Sequence, residues 1–305
     1  MDRLYDFNGC RRSLKQFGGS DQKDSIYFDG KRYMIKFNDD IPPEKKNALA
    51  SSSRNNAFSE YIACHIYNSV GIPAQNTLLG LRDGHIVVAC EDFCVDGYGI
   101  NEFEKNSSLA GIDFKKTRYP EIDDVVSFIR KDERIDAAVA ERRFWDTFVM
   151  DALLGNFDRH TGNWGYLYND DLGTIVLAPV YDCGACLYPM ISDEGMKAIM
   201  KEERLIDERI YKYPMAAFYD NGVKVSYCDF LGKPDNYRRF PLLHQAVHNV
   251  REKLSIDVVN QIVDNTPALS DIRREFYRMM ISERYEKILM PAFCVIEDFT
   301  ETANP

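Results

Sequence analysis

The chain contains no apolar run approaching the roughly 18–20 residues that cross a bilayer, so no membrane-spanning helix is expected. Its first residues, Met1-Asp2-Arg3-Leu4-Tyr5-Asp6, hold no apolar core, and a secretory signal peptide is not expected either. Positive charge is in short supply. The 38 Lys and Arg face 48 Asp and Glu, for a formal net charge of -10. That balance argues against nucleic acid as the main partner, since such proteins carry a basic patch or stripe. A local basic pocket for a nucleotide remains compatible with it. The eight cysteines are scattered, without the density of a disulfide scaffold. A cytoplasmic location follows as the expectation; a protein exported into a host cell without a cleaved signal would read the same. No internal repeat is present.

What remains is ordinary for a globular protein: 305 residues, 45% hydrophobic and 28% charged. That length supports one large domain or two lobes with an ample core. Residues 1–94 read as a β-rich unit with one helix. Ser25-Ile26-Tyr27-Phe28 and Lys31-Arg32-Tyr33-Met34-Ile35-Lys36-Phe37 flank Asp29-Gly30, a strong hairpin signal. Residues 38–53, with Pro42-Pro43 and Ser51-Ser52-Ser53, read as a loop. Phe58, Ile62 and Ile66 then recur at helical spacing, and Gly71 and Pro73 end the helix. Two more strands are expected at 76–81 and 85–90, around Asp83-Gly84.

Residues 95–125 are polar and read as an irregular boundary or insertion, and 95–305 as a mainly helical unit. Ile135, Val139, Trp145, Phe148, Val149, Ala152 and Leu153 mark a helix ending near Gly155. Thr174-Ile175-Val176-Leu177-Ala178 reads as a strand. Helical patterns recur near 194–205, 241–253, 256–264 and 270–289, and Asp298 to Pro305 reads as a loose tail.

The chemistry concentrates in residues 156–184. Asn156-Phe157-Asp158-Arg159-His160-Thr161-Gly162-Asn163 follows the end of a helix, and a β-rich stretch then leads to Asp182-Cys183-Gly184. An Asp, an Asn five residues later and an Asp in an Asp-x-Gly turn are the parts that phosphoryl transfer from Mg-ATP requires. Asp158 can position or deprotonate an acceptor hydroxyl, and Asn163 and Asp182 can hold Mg2+. His160 is a candidate for orienting the loop or contacting phosphate. Arg159 can pair with an acidic or phosphorylated side chain.

The N-terminal unit supplies candidates for holding ATP. Phe17-Gly18-Gly19-Ser20 precedes the first hairpin, and glycine lets backbone N–H groups approach phosphate. Lys36 ends a strand at the place of the kinase phosphate-binding lysine. Glu60, in the first turns of the helix, can pair with it. Glu91 and Phe93, where the last strand runs out, can present backbone groups to adenine. Ser20 and Ser51 to Ser53 are candidate sites of autophosphorylation. Cys183-x-x-Cys186 and His244-x-x-x-His248 could together suggest zinc. Cys183 lies inside the turn assigned to magnesium, and core or surface positions are the expectation for all four.

At these residues the chain resembles a known family. Asp158-Arg159-His160-x-x-Asn163 resembles the loop of phosphatidylinositol-kinase-like enzymes. Leu177-Ala178-Pro179-Val180-Tyr181-Asp182 resembles the strand-Pro-x-Tyr-Asp segment of HipA-family bacterial serine/threonine kinases. Asn68-Ser69-Val70-Gly71-Ile72-Pro73 and Glu91-Asp92-Phe93 are HipA-like as well. The resemblance spans roughly residues 15–290 and implies an α+β, protein-kinase-like two-lobed fold. It implies Asp158 as catalytic base, Asn163 and Asp182 as magnesium ligands, Lys36 on the ATP phosphates and adenine at the 91–93 linker. HipA toxins carry an extra N-terminal subdomain for which this sequence has almost no room, so it is closer to short, stand-alone relatives. Neither an antitoxin partner nor a tRNA-synthetase target carries over. The expected activity is a protein serine/threonine kinase acting on an unidentified protein. A lipid or small-molecule kinase and a nucleotide-binding scaffold without turnover stay open as alternatives.

Overall fold

The computed structural model describes residues 3–17, 23–38, 49–51, 55–105 and 119–302, with the backbone alone for 299–302. The fold is α+β. Five strands form one sheet in the order β1-β4-β5-β3-β2. Strands β2 (Lys23–Phe28) and β3 (Lys31–Lys36) pair antiparallel across Asp29-Gly30, whose φ angles are both positive, 48° and 76°. Asp83-Gly84 repeats the device, at 51° and 78°, between β4 (Thr77–Arg82) and β5 (His85–Glu91). Two positive φ angles give the turn the twist of the strands it joins, which is why Asp-Gly marks both hairpins in the sequence.

A strand that no sequence signal announces, β1 (Tyr5–Asp6), lies parallel to β4 at the sheet edge. Two residues cannot show a period, so only the paired neighbour reveals it. One sheet face buries Phe7, Ile26, Ile35, Val87 and Ala89. Leu79, Val88 and Cys90 join the main core with helix α1 (Asn56–Ser69). The helix buries Phe58, Ile62 and Ile66 as the spacing predicts, and Glu60 besides. Its Ala57 N–H, one of the first-turn donors without a helical partner, is taken by Asn38 Oδ1 at 3.0 Å, just beyond β3.

The irregular reading of 95–125 is corrected in two places. Strand β6 (Gly99–Glu102) pairs with β7 (Gly165–Asn169), which pairs with β8 (Thr174–Leu177), in a three-stranded sheet. Helix α2 (Ile122–Lys131) begins before the segment ends. Strand β6 is short and polar, and its partner arrives more than sixty residues later, so its local composition hides it. Helix α3 (Ala137–Leu154) is capped by Asp136, whose side chain accepts from the N–H groups of Ala138 and Val139. It closes on Gly155 at φ 65°. Ile135 precedes this cap and Val139 is 53% exposed, so the buried stripe starts later than the apolar count implies, with Ala140 and Phe144.

The remainder is helical, apart from the hairpin β9 (Tyr219–Asp220) and β10 (Val223–Lys224). Helices α4 (Asp193–Met200), α5 (Glu203–Asp207), α6 (Tyr227–Leu231) and α7 (Pro234–Arg239) precede the longer α8 (Pro241–Lys253) and α9 (Ile256–Asn265). Helix α10 (Asp271–Arg284) passes through a π-helical turn into α11 (Met290–Thr302). The expected tail from 298 is therefore helical to Thr302, continuing a helix anchored by buried Phe293 and Ile296. Among the described residues no helix is long and apolar enough to cross a membrane. All eight cysteines are free.

Candidate active site

Lys36, at the last position of β3, is buried and reaches two carboxylates. Its Nζ lies 3.0 Å from Glu60 Oε2 and 3.0 Å from Asp182 Oδ1. The two carboxylates come from elements more than a hundred residues apart, helix α1 and the turn after β8. The other Glu60 oxygen, Oε1, accepts the Cys183 N–H at 3.0 Å. A single glutamate thus holds the lysine and the Asp-x-Gly turn together. A Cβ on Gly184 would stand 3.3 Å from Glu60 Oε2, tighter than an ordinary contact, so the carboxylate's approach favours a residue without one.

Electrostatics follow from this geometry. Burial alone would push the Lys36 ammonium down, but Asp182 and Glu60 more than offset it and hold its pKa well above the usual value. The same ammonium, working against burial, lowers Asp182 to about 2. Asp182 therefore carries full negative charge at neutral pH. Its φ is 56°, in the left-handed region, which Asp tolerates better than most residues.

The Asp158 loop is built from α3 outward. Asn156 is fully buried. Its Oδ1 accepts the Asp158 N–H at 3.0 Å, and its Nδ2 donates to Asp151 Oδ1 at 2.8 Å. Asn163 Nδ2 donates to the Asp158 carbonyl at 2.8 Å, leaving its amide oxygen as the acceptor end. His160 Nδ1 accepts the Gly162 N–H at 3.1 Å, so this ring shapes the loop's turn.

Arg159 binds the pieces. Its Nε and Nη2 hold Asp151 at 3.0 and 3.3 Å, in a pair buried on both sides. Its Nη1 donates to the carbonyls of Asn163 (3.1 Å) and Tyr181 (2.5 Å), and Nη2 reaches Cys183 Sγ at 3.3 Å. One guanidinium therefore fixes the backbone beside both candidate metal ligands. Tyr67 on α1 adds its hydroxyl to Asp151 at 2.7 Å. The sequence offers Arg159 an acidic partner without naming it. Asp151 sits inside an apolar helix, and neither period nor spacing distinguishes it from a solvated aspartate.

The structure thus brings Lys36, Glu60, Asp158, His160, Asn163 and Asp182 into one network. Phe93 joins it by packing on Tyr181, with ring centroids 5.7 Å apart. Tyr181 in turn donates to the Gly162 carbonyl. Glu91 stands differently. Its N–H donates to Asn76 O, its carbonyl accepts from Gln75 Nε2, and its carboxylate pairs with Lys31. Between them, buried Asp92 binds Lys15 at 2.8 Å and Arg32 at 2.5 Å. Gly18, Gly19 and Ser20 lie outside the described residues, as do Ser52 and Ser53.

Residues 16–208 match the family model of the HipA-like C-terminal domain. The chain belongs to that family. It is 36% identical over 288 residues to the serine/threonine-protein kinase CtkA of Helicobacter pylori, covering 93% of this chain and 86% of that protein. The crystal structure of the Helicobacter pylori proinflammatory kinase CtkA superposes with a TM-score of 0.85 at 33% identity. The match covers 98% of this chain and all of the other. HipA of Shewanella oneidensis, solved with HipB and operator DNA, shares the fold at a TM-score of 0.57 and 15% identity. That match covers 95% of this chain and 68% of the HipA chain.

The donor set at Asp182 and Asn163 is oxygen-based, as Mg2+ requires. Asp182 is ionised and 44% exposed, and the Asn163 amide has spent its nitrogen on the Asp158 carbonyl. The residues present fit a magnesium nucleotide.

Proposed function

We propose that this HipA-like chain is a protein serine/threonine kinase that uses Mg-ATP. The reading adopts a two-lobed arrangement, residues 1–94 against 95–305, with the 91–94 linker between them. One observation carries it: Lys36 bridges Glu60 and Asp182, while Arg159 ties the turn bearing Asp182 to the loop bearing Asp158 and Asn163. That is the spatial arrangement phosphoryl transfer needs, assembled from four separate segments.

Asn163 and Asp182 would hold Mg2+, and the ion supplies neutralisation of phosphate charge when bound. Lys36 orients the phosphates, and Glu60 keeps its ammonium aimed. The adenine role rests on Phe93, since the backbone of Glu91 is engaged in the sheet. Gly18, Gly19 and Ser20, outside the described residues, keep their assignment as phosphate-binding amides in this reading. Asp158 orients the acceptor hydroxyl and takes its proton as the oxygen bonds to the γ-phosphorus and the bond from that phosphorus to ADP breaks, ADP leaving with the bonding pair. General-base action of this kind contributes about 100- to 10,000-fold; preorganised charge supplies the rest. His160 acts through the shape of the loop. The free cysteines suit a reducing cytoplasm.

The test uses purified chain, labelled ATP and three arms: a generic basic protein, a lipid panel, and no acceptor. Label in the protein arm, or in the chain itself, supports the proposal. Label in lipid alone points to a lipid kinase, and binding without transfer to a scaffold. Asp158→Asn is expected to reduce transfer by at least about 100-fold with ATP binding retained. Undiminished turnover in that variant removes Asp158 from its role.

A further inference from the structure

The cysteines around the Asp-x-Gly turn have no part in phosphoryl transfer, yet they converge. Glu60 and Cys64 lie four residues apart on α1 and so share one face of the helix. Cys183 meets that face from the turn, its N–H on Glu60 Oε1 at 3.0 Å. A carboxylate oxygen of Glu60 and the sulfurs of Cys64 and Cys183 all lie within 4.8 Å of one another, and all three residues are buried. Cys186, also fully buried, brings its thiol to the Cys183 sulfur, as does Cys64. Its N–H bonds the Cys183 carbonyl at 3.1 Å.

This is not the magnesium site. Sulfur donors are foreign to Mg2+, whereas thiolates with one carboxylate suit Zn2+. The Cys183-x-x-Cys186 pair does take part in a candidate site, but not with the histidines its spacing suggests. His244 is half-buried and His248 exposed on α8, and the further donors come from α1 instead.

We infer that Glu60, Cys64 and Cys183 form a Zn2+ site directly behind the magnesium turn, with Cys186 turning in from beside Cys183 as fourth donor, and that filling it switches the kinase off. A contraction of about 1 Å brings the Glu60, Cys64 and Cys183 donors, now within 4.8 Å of one another, to the separations of a tetrahedral zinc with ~2.3 Å bonds to sulfur. The incoming ion replaces thiol protons, which leave to solvent; no electron is transferred. Zinc draws on the carboxylate that holds Lys36, and on the sulfur that Arg159 contacts, so both anchors of the ATP site loosen together.

The binding half of this inference stands without the kinase reading; the inhibition half rests on it. The experiment therefore reads the metal first. The whole chain, stripped by chelator, is titrated with Co2+ without nucleotide. A sulfur-to-cobalt charge-transfer band saturating at one equivalent, and erased by Zn2+, is expected. Cys64→Ala and Cys64→Ser, each checked for native circular dichroism, are expected to weaken Co2+ binding by roughly 100-fold. A wild-type chain without the band, or a band undiminished in both variants, overturns the site. Transfer from Mg-ATP is then compared with and without Zn2+ for each chain. Inhibition of wild type that both Cys64 variants escape supports the switch. Equal inhibition in all three places zinc at Asn163 and Asp182 and overturns it. A chain that binds Co2+ as expected but never transfers phosphate counts against the kinase reading alone.

Discussion

Two ion pairs organise the site at the scale of single residues. Arg159 and Asp151 are an enclosed pair, with side chains 4% and 1% exposed. Removing one partner of such a pair strands the other charge, which typically costs about 3–5 kcal/mol. Asp151→Ala is expected to lose stability of that order in urea unfolding, and to lower transfer in whatever fraction stays folded. Lys36 and Asp182 make a prediction about pH. Asp182 titrates at about 2 in the fold, against 3.8 for an unperturbed carboxyl. A depressed carboxylate pKa stabilises the fold above the unfolded value and loses that contribution as pH falls through the folded one. The melting temperatures of wild type and Asp182→Asn should therefore converge as pH drops from about 4 towards about 2. A difference that stays constant through that window contradicts the Lys36 pairing.

Elements deliver these residues, and their contacts decide where each ends. Strand β7 leads directly out of the Asp158 loop and must pass close to β6. A Cβ on Gly165 would meet the Asn101 carbonyl oxygen at 2.3 Å, a backbone atom that cannot swing away. Gly165→Ala is expected to cost about 1–3 kcal/mol, as overpacking does. Hydrogen exchange should show the loss first in β6 and β7, and an unchanged exchange pattern would rule out that contact as the cause. Asp136 caps α3 through two N–H groups. Asp136→Ala is expected to cost ~1 kcal/mol, read as a shift in the urea midpoint. The other end of α3 matters more for chemistry, because Gly155 turns the chain into the loop that Asn156 then braces.

For the whole molecule, the proposed nucleotide site gathers residues from the five-stranded sheet, helix α1 and the turn after β8, so ligand should stabilise it globally. Mg-ATP at a hundred times its Kd is expected to add about 2.7 kcal/mol. Removing Mg2+ with chelator should shrink the gain, and Asp182→Asn should abolish the Mg2+-dependent part. Thermal unfolding with ATP, Mg-ATP and neither reads both effects. A melting temperature indifferent to Mg-ATP would count against a nucleotide site.

Much of the fold was written locally. Asp-Gly between apolar runs marked both hairpins, because two positive φ angles need those residues. The i, i+4 spacing of Phe58, Ile62 and Ile66 marked α1. The Asp158, Asn163 and Asp182 pattern marked the site proposed for the chemistry, because phosphoryl transfer constrains residue types at short range. What only the tertiary structure decided depends on partners distant in sequence. Strands β1 and β6 exist through neighbours more than sixty residues away. Asp151 becomes the partner of Arg159 because burial, invisible in composition, removes its alternatives. The meeting of Cys64 with Cys183 is likewise set by the packing of α1 against the turn. Local sequence encodes local conformation and reaction chemistry, whereas long-range pairing and burial arise only when the chain closes on itself.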